Sequence, residues 1–324
     1  SSVVRSAGYS TAIHFIRLFY SEHFMLKKRS TRFDINSLQP PLPEIEKYPS
    51  SVLLESMVSL SIDGSRSGEL NGYATCDFNR FLRTLDLMPA DASGKALEIG
   101  ANPYFNTLLF REFRPGIEMT LTNFFGGETL QANQNLSFTG FDGLPKSFDI
   151  QYTNCNIEER QLPFPDDFFD WVVFCEVLEH MTNDPLRSLK ELKRVLKPGG
   201  RLILTTPNAA RIENMMAFIE GRNIYDPYSG YGPYGRHNRE YTRHELHLLM
   251  EHCGFECEQS YTANVHPDLP WSVSDKLVHE IINSTPNRCH DLGQYFFTRW
   301  NNKTAGEQKR PRWSYPSYPE IEFQ

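Results

Sequence analysis

Apolar and polar positions along the chain alternate between short continuous hydrophobic runs and longer amphipathic stretches, most clearly over residues 162–208, LPFPDDFFDWVVFCEVLEHMTNDPLRSLKELKRVLKPGGRLILTTPN. Residues 170–176 carry an unbroken apolar run, Trp171 to Cys175, closed by Glu176, the pattern of a strand covered on both faces. Leu186, Leu189, Leu192 and Leu196 then recur at helical spacing, so an amphipathic helix follows. Asn183 or Asp184 can cap it with Pro185 at its first position, and Lys197, Pro198, Gly199 and Gly200 end it. Residues 201–206 restart as a parallel strand, which makes the unit part of a doubly wound α/β fold.

The alternation continues on both sides. Apolar positions at Phe78, Phe81, Leu82, Leu85 and Leu87 predict a helix over 76–87, leading into a first core strand at 95–100. Further strands are predicted at 118–123, 148–153, 170–176 and 201–206. After a loop over 208–238, Thr242 and Glu245 form a T-x-x-E capping box, and Gly254 stops the helix it starts. Residues 255–261 and 294–300 read as the last two strands, with a helix over 274–283 between them. The expectation is a mostly parallel seven-stranded sheet with helices on both faces. Residues 1–75 lack this alternation: 11–26 read as an amphipathic helix, and Pro40, Pro41, Pro43 and Pro49 mark a linker. Three parts follow: an N-terminal helical extension over 1–75, the α/β domain over 76–300 with an insert at 208–238, and a C-terminal tail over 301–324.

At 324 residues and 40% hydrophobic content, the chain can bury one full α/β core and still carry extensions. No apolar run approaches the roughly 20 residues that a membrane helix requires, so no membrane span is expected. Residues 11–26 include His14, Arg17, Glu22 and His23, which argues against a signal peptide and leaves packing on the protein or lying on a membrane surface. Six cysteines without CxxC spacing read as reduced thiols in a cytoplasmic protein. A net charge of -7 argues against a nucleic-acid partner, although residues 303–312 form a small basic cluster, most simply a solvated tail.

The strand end EVLEHM, followed by a helix and the KPGG turn, resembles the second half of class I S-adenosylmethionine-dependent methyltransferases, with matching landmarks across 94–300. A nucleotide-binding α/β fold with another ligand is the alternative. The resemblance implies a Rossmann-like enzyme with S-adenosylmethionine as cofactor. Such enzymes usually place two more glycines after the first strand, whereas this chain reads EIGANPYF. Gly100 keeps the close backbone approach, Asn102 tolerates a left-handed conformation, and Pro103 suits a helix start, although the same turn also reads as purely structural. Glu98 suits the cofactor's ammonium, and Tyr104 can face its sulfonium. Where the family carries an acid for the ribose hydroxyls this chain has Asn123, and where it carries one for the adenine amino group it has Asn156, followed by Ile157 as an apolar plate. Both asparagines also read as ordinary turn residues.

Transfer to a neutral alcohol needs its proton removed, by a base or with help from a metal. The candidates are Glu176, Glu179, His180 and His237. If EVLEHM enters the helix after its strand, Glu176, Glu179 and His180 share one face at the carboxyl edge of the sheet, with Glu176 also beside the cofactor. In the O-methyltransferases of ubiquinone biosynthesis and of small-RNA 3'-end protection, an E-x-x-E-H of this form helps hold a divalent metal. The RNA branch adds a histidine three residues before Glu-aromatic-Thr-Arg, matched here by HNREYTR and His237. The resemblance thus implies Glu176, Glu179, His180 and His237 as ligands of Mg²⁺, Mn²⁺ or Zn²⁺. EVLEH also occurs in family members without metal, where His180 acts as base or orients the loop. Glu179, His180 and His237 are therefore the catalytic candidates. His244, His247 and His252 fall on the capped helix and read as surface or packing residues.

Tyr225, Tyr228, Tyr231 and Tyr234 recur among Asp226, Pro227, Gly230, Gly232 and Pro233, a composition for extended turns. Their rings suit a sugar, or else order the loop or a homodimer contact. TPN, the insert and RHNREYTRHEL are similar to type 11 methyltransferases of polysaccharide and glycoconjugate assembly. The expectation is O-methylation of a sugar, glycan or sugar-containing metabolite. A phenol or catechol O-methyltransferase, an RNA 2'-O-methyltransferase and a noncatalytic binding subunit are the alternatives.

Overall fold

Residues that form the longest apolar runs become the centre of one sheet. The computed structural model describes residues 39–323 except 66, 67, 129, 231, 268–270, 286, 287 and 289, so the helix predicted over 11–26 lies outside the described residues. Strands β2 (Ser93–Ile99), β3 (Gly116–Asn123), β5 (Pro145–Asn154), β6 (Phe169–Cys175) and β7 (Leu196–Pro207) run parallel. Strand β9 (Tyr295–Asn302) lies antiparallel between β7 and β8 (Phe255–Ala263). Successive side chains in the central strands point to opposite faces: Ala96 and Val173 join one core, and Leu97, Val172 and Phe174 the other. The first core includes Phe81 of α3 (Phe78–Asp86) and Phe105 and Phe110 of α4 (Phe105–Phe113). The second includes Leu186, Leu189 and Leu192 of α5 (Pro185–Val195) and Leu246 and Leu249 of α7 (Arg243–His252).

Among the described residues the sheet has nine strands rather than the seven expected; with β1 (Ser61–Ile62) and β4 (Leu130–Thr139) the order is β1-β4-β5-β3-β2-β6-β7-β9-β8. Between β3 and β5 the chain forms β4 (Leu130–Thr139), paired antiparallel with β5 from Leu130 opposite Asn154 to Thr139 opposite Pro145. Leu130, Ala132, Leu136 and Phe138 fall at even positions, the period of a strand. Gly143, at φ 78°, helps turn the chain back. The two-residue β1 (Ser61–Ile62) completes this edge.

Ahead of the sheet, α1 (Ser50–Val58) and α2 (Gly68–Cys76) bury Leu53, Met57 and Ala74 in the first core. Arg83 donates to the carbonyls of Pro40 and Pro41, which pins the proline-rich segment to α3. The insert also begins with a helix where a loop was expected, α6 (Ile212–Ile219), because Ile212 and Met216 pack at helical spacing against Val278 and Ile282 of α8 (Asp275–Ser284). Asp184 caps α5 by accepting from the Leu186 amide at 3.1 Å, and the same carboxylate receives Tyr315 Oη at 2.7 Å and Arg310. The basic tail is therefore tied down at this point. Thr242 accepts from the Glu245 amide, while the Glu245 carboxylate pairs with Arg239 instead of completing the capping box. Among the described residues, no helix is long and apolar enough to cross a membrane.

Candidate active site

The carboxyl ends of β2, β3, β6 and β7 bring the sequence-predicted residues to one edge. Gly100 leaves β2 at φ 69°, and a Cβ there would lie 2.9 Å from Val177 Cγ2 on the neighbouring strand's loop, so only glycine fits without displacement. The following turn braces itself. The Asn102 amide donates to Asn123 Oδ1 at 2.8 Å, Asn123 Nδ2 donates to Tyr104 Oη at 3.0 Å, and Tyr104 donates to Gln134. Tyr104 is fully buried, so its ring is part of the core.

Glu98 is buried beneath this turn and accepts from Thr107 Oγ1 at 2.5 Å. Burial pushes its carboxyl up to about 8, partly opposed by that hydrogen bond. Glu98, Gly100, Asn102 and Pro103 line a narrow cavity whose other wall is Tyr73, Arg80 and Phe81. Buried Arg80 donates from Nε to Asp77 Oδ1 at 2.9 Å and from Nη2 to Tyr73 Oη, and its Nη1 lies 4.0 Å from Glu176 Oε1. Sequence reasoning missed Arg80 and Tyr73. No local signal marks Arg80, because α3 also carries Asn79, Arg83, Thr84 and Asp86 and reads as an ordinary amphipathic helix.

At the end of β5, Asn156 and Ile157 are both buried. Asn156 Oδ1 accepts from the Glu158 amide at 3.0 Å, and its Nδ2 donates to Tyr234 Oη at 3.0 Å. The Tyr234 ring meets Phe124 edge-on at 5.7 Å. Tyr225 and Tyr228 remain exposed, with the Arg236 guanidinium 4.7 Å from the Tyr228 ring centre.

Glu176, Glu179 and His180 do not form the helical face expected of them. Glu176 takes φ 55°, and Leu178–His180 make a single 3₁₀ turn, which sends the two glutamates in different directions. Glu176 accepts from Thr205 Oγ1 at 2.8 Å and faces Arg80; burial pushes its carboxyl up to about 8 against the pull of that cation. Glu179 is fully buried, its Oε2 accepting from Thr206 Oγ1 at 3.0 Å, while Oε1 has no hydrogen-bond partner among the described residues and lies 3.8 Å from His180 Nε2. Burial raises the Glu179 carboxyl, opposed by the field of His237.

His180 donates from Nδ1 to the Arg236 carbonyl at 2.9 Å. Burial, reinforced by nearby His237, holds its imidazole down to about 4. Its ring stands 5.1 Å from that of His237, at 74°. His237 Nδ1 lies 3.0 Å from Glu240 Oε1 and 3.5 Å from Asp226 Oδ2. Burial opposes charge on His237, but the Glu240 hydrogen bond and the fields of Glu179 and Asp226 prevail and push it up to about 9. Burial likewise opposes charge on Glu240, and His237 with Arg211 brings it down to about 2. One ring is therefore neutral and the other cationic at neutral pH. Ligand atoms of Glu179, His180 and His237 lie within 4.8 Å of one another, as do those of Asp226, His237 and Glu240. Glu176, expected in the same set, is absent from both clusters because its carboxylate turns to Thr205 and Arg80.

A larger cavity of about 470 Å³ lies at the opposite edge of the sheet, beside Ser93 and the KPGG turn. Most of its charges pair with one another: Lys197 with Asp170 at 2.8 Å, and Arg201 and Arg299 with Glu258.

A sequence model described as a methyltransferase domain matches residues 74–260, more than half of the chain. Over 109 residues the chain is 37% identical to the ubiquinone/menaquinone biosynthesis C-methyltransferase UbiE of Pectobacterium atrosepticum, covering 32% of this chain and 40% of that protein. The protein of the same name from Proteus mirabilis is 37% identical over 81 residues, 25% of this chain and 29% of that one. The chain thus spans less than half the length of these curated relatives. A SAM-dependent methyltransferase structure from Archaeoglobus fulgidus aligns at 14% identity over 68% of this chain and 91% of that one, with a TM-score of 0.42.

Proposed function

The chain belongs to the methyltransferase domain family, and from that premise we propose that it transfers the methyl group of S-adenosylmethionine to a hydroxyl oxygen held beside Glu179, His180 and His237. The observation that supports this most directly is the hydrogen bond from His180 Nδ1 to the Arg236 carbonyl. It leaves a lone pair on Nε2 of a neutral ring, next to the unpartnered carboxylate oxygen of Glu179.

The cavity at Gly100 fits the amino-acid end of the cofactor. Arg80 Nη1 offers a cation for its carboxylate, Glu98 an acceptor for its ammonium, and Gly100 the close backbone approach. Ile157 supplies an apolar plate for the adenine. Asn102, Asn123 and Asn156 shape the turns around it, each with hydrogen-bonding capacity left over. When bound, the sulfonium supplies an electrophilic methyl group. His180 Nε2 takes the acceptor's proton while the acceptor oxygen attacks, and cationic His237 offsets negative charge developing on that oxygen.

The unpartnered Glu179 oxygen and the His180 lone pair also fit a divalent metal such as Mn²⁺ or Mg²⁺. Glu179, His180 and His237 would hold it, and it would acidify the hydroxyl. A sugar or glycan acceptor is supported by the exposed ring faces of Tyr225 and Tyr228, whereas Tyr234 is engaged on the cofactor side. The name of the relatives favours a second reading, transfer to carbon, for which the same base would ionise a phenol or an acidic carbon.

Methyl-labelled S-adenosylmethionine offered with glycans, phenolic metabolites and short RNAs separates these. A methoxyl carbon resonance on a sugar is the expected result. Label only in phenols or only in RNA rejects the sugar assignment, and a carbon-bound methyl resonance replaces oxygen transfer altogether.

A further inference from the structure

We propose that Tyr234 is a positioning residue that ties the adenine end of the cofactor pocket to the segment carrying the two histidines. The short stretch from Tyr234 to Arg239 is fastened at both ends. On the cofactor side, Asn156 Nδ2 donates to Tyr234 Oη at 3.0 Å, and the amide cannot swing freely because its Oδ1 is held by the Glu158 backbone. On the chemical side, the amides of Asn238 and Arg239 both donate to the Glu179 carbonyl, at 2.8 and 3.2 Å. Asn238 Nδ2 adds donations to the His180 carbonyl at 3.0 Å and the Pro233 carbonyl at 2.7 Å. Tyr234 sits inside a single 3₁₀ turn, Pro233–Gly235, and only residues 235–237 separate it from the second anchorage, so there is little slack between them.

The same turn after β5 also holds the other side of the histidine segment. Glu158 accepts from the amides of Thr182 and Asn183 at 2.8 Å each, and from Thr182 Oγ1 at 3.0 Å. Filling the pocket against Ile157 orders the turn, and through it both segments that flank His180. The tie presupposes the assignment of Asn156 and Ile157 to the adenine end. Cofactor occupancy then favours the arrangement in which His180 and His237 face each other, a population shift that needs no large movement.

The test uses S-adenosylhomocysteine, whose binding to the wild-type protein and to Tyr234→Phe is first established by calorimetry, followed by amide hydrogen exchange at Asn238 and Arg239. Binding is expected to slow exchange at both amides about fivefold in the wild type, the scale of one net hydrogen bond. In Tyr234→Phe, which keeps the ring against Phe124 and loses only the hydroxyl, that protection is expected to vanish while the affinity changes less than about threefold. Turnover at saturating donor falls with it, and KM for the donor stays. Equal protection in both proteins, or none in the wild type with ligand bound, overturns the tie while leaving the cofactor assignment intact. Absence of binding in the wild type overturns both.

Discussion

His180 Nδ1 and the Arg236 carbonyl oxygen lie 2.9 Å apart, and because a carbonyl can only accept, the proton on that ring is fixed at Nδ1. The opposite nitrogen, Nε2, is left with the lone pair that the proposed base role requires.

His180→Ala is expected to lower kcat by about 10²–10⁴-fold, the usual contribution of a positioned base, with cofactor affinity nearly unchanged. Burial holds this imidazole down to about 4, so it stays neutral across the whole ordinary range. The rate of the metal-free enzyme should therefore be flat from about pH 6 to 8 and fall only as pH approaches 4. Single-turnover rates against pH check this, and an inflection near the unperturbed histidine value of about 6.5 would count against His180 as the base.

In the proposed site, Glu98 should make cofactor binding pH-dependent. Its carboxyl, pushed up to about 8, is mostly protonated at pH 7, yet it must ionise to receive the cofactor's ammonium. Binding at pH 7 should release close to one proton, and affinity should rise as pH rises toward about 8. Calorimetry in buffers of different ionisation heat reads the proton directly. In the free protein the sign for stability is opposite to that of an ion-paired acid: the folded state retains a proton that the unfolded chain gives up, so stability falls as pH rises from about 4.5 to 8. Glu98→Gln should remove that decline and weaken cofactor binding by roughly tenfold, one charge-assisted hydrogen bond.

The pair His237 and Glu240 titrates in the usual stabilising directions. For His237, raised to about 9, the contribution to stability is complete below about 6.5 and disappears as pH rises through 9. For Glu240, lowered to about 2, it is complete above about 4.5 and disappears as pH falls toward 2. Thermal melts of the wild type and of His237→Gln should converge above pH 9 and differ most near pH 6.

Metal dependence is decided by chelation. If Glu179, His180 and His237 hold a divalent ion, exhaustive chelation suppresses transfer, Mn²⁺ restores it, and His237→Ala raises the Mn²⁺ requirement with cofactor affinity intact. Full activity after chelation would reduce the cluster to its acid–base role.

Gly100→Val should abolish cofactor binding. A side chain there must adopt a left-handed backbone and meet Val177 Cγ2, so the loss should come with a destabilisation of roughly 1–2 kcal/mol from the backbone alone. Tm and S-adenosylhomocysteine titration measure the two effects separately.

The parallel strands were legible in the sequence because burial on both faces leaves continuous apolar runs such as residues 171–175. The start of α5 was legible because Asp184 and Pro185 state it locally. Strand β4 was not, since its side chains are largely exposed or half-buried, and asparagine and glutamine dilute its alternation. The resemblance to metal-holding family members implied that Glu179, His180 and His237 meet, as their ligand atoms do, but it also implied Glu176 beside them, and the divergence of Glu176 was not legible. Its positive φ is set by the packing of the strand end against Thr205 and Arg80, which no local pattern records. Arg80 was hidden for the same reason: its partners Tyr73 and Glu176 come from separate elements brought together only by the fold.

Asp184 adds a constraint of timing. It stands four residues after His180, yet the partners that complete its hydrogen bonding, Arg310 and Tyr315, lie 126 and 131 positions further along. At ordinary elongation rates, on the order of 10 s separates the emergence of Asp184 from that of the side chains that secure it. The helix cap can form at once, because it needs only the Leu186 amide, and the sheet closes when β9 is made. Only the Asp184 end of the loop behind His180 is secured last. A nascent chain therefore passes through a stage in which the sheet is finished and the loop after His180 is held by Glu158 through Thr182 and Asn183, while its ties from Asp184 to Arg310 and Tyr315 still wait for the tail.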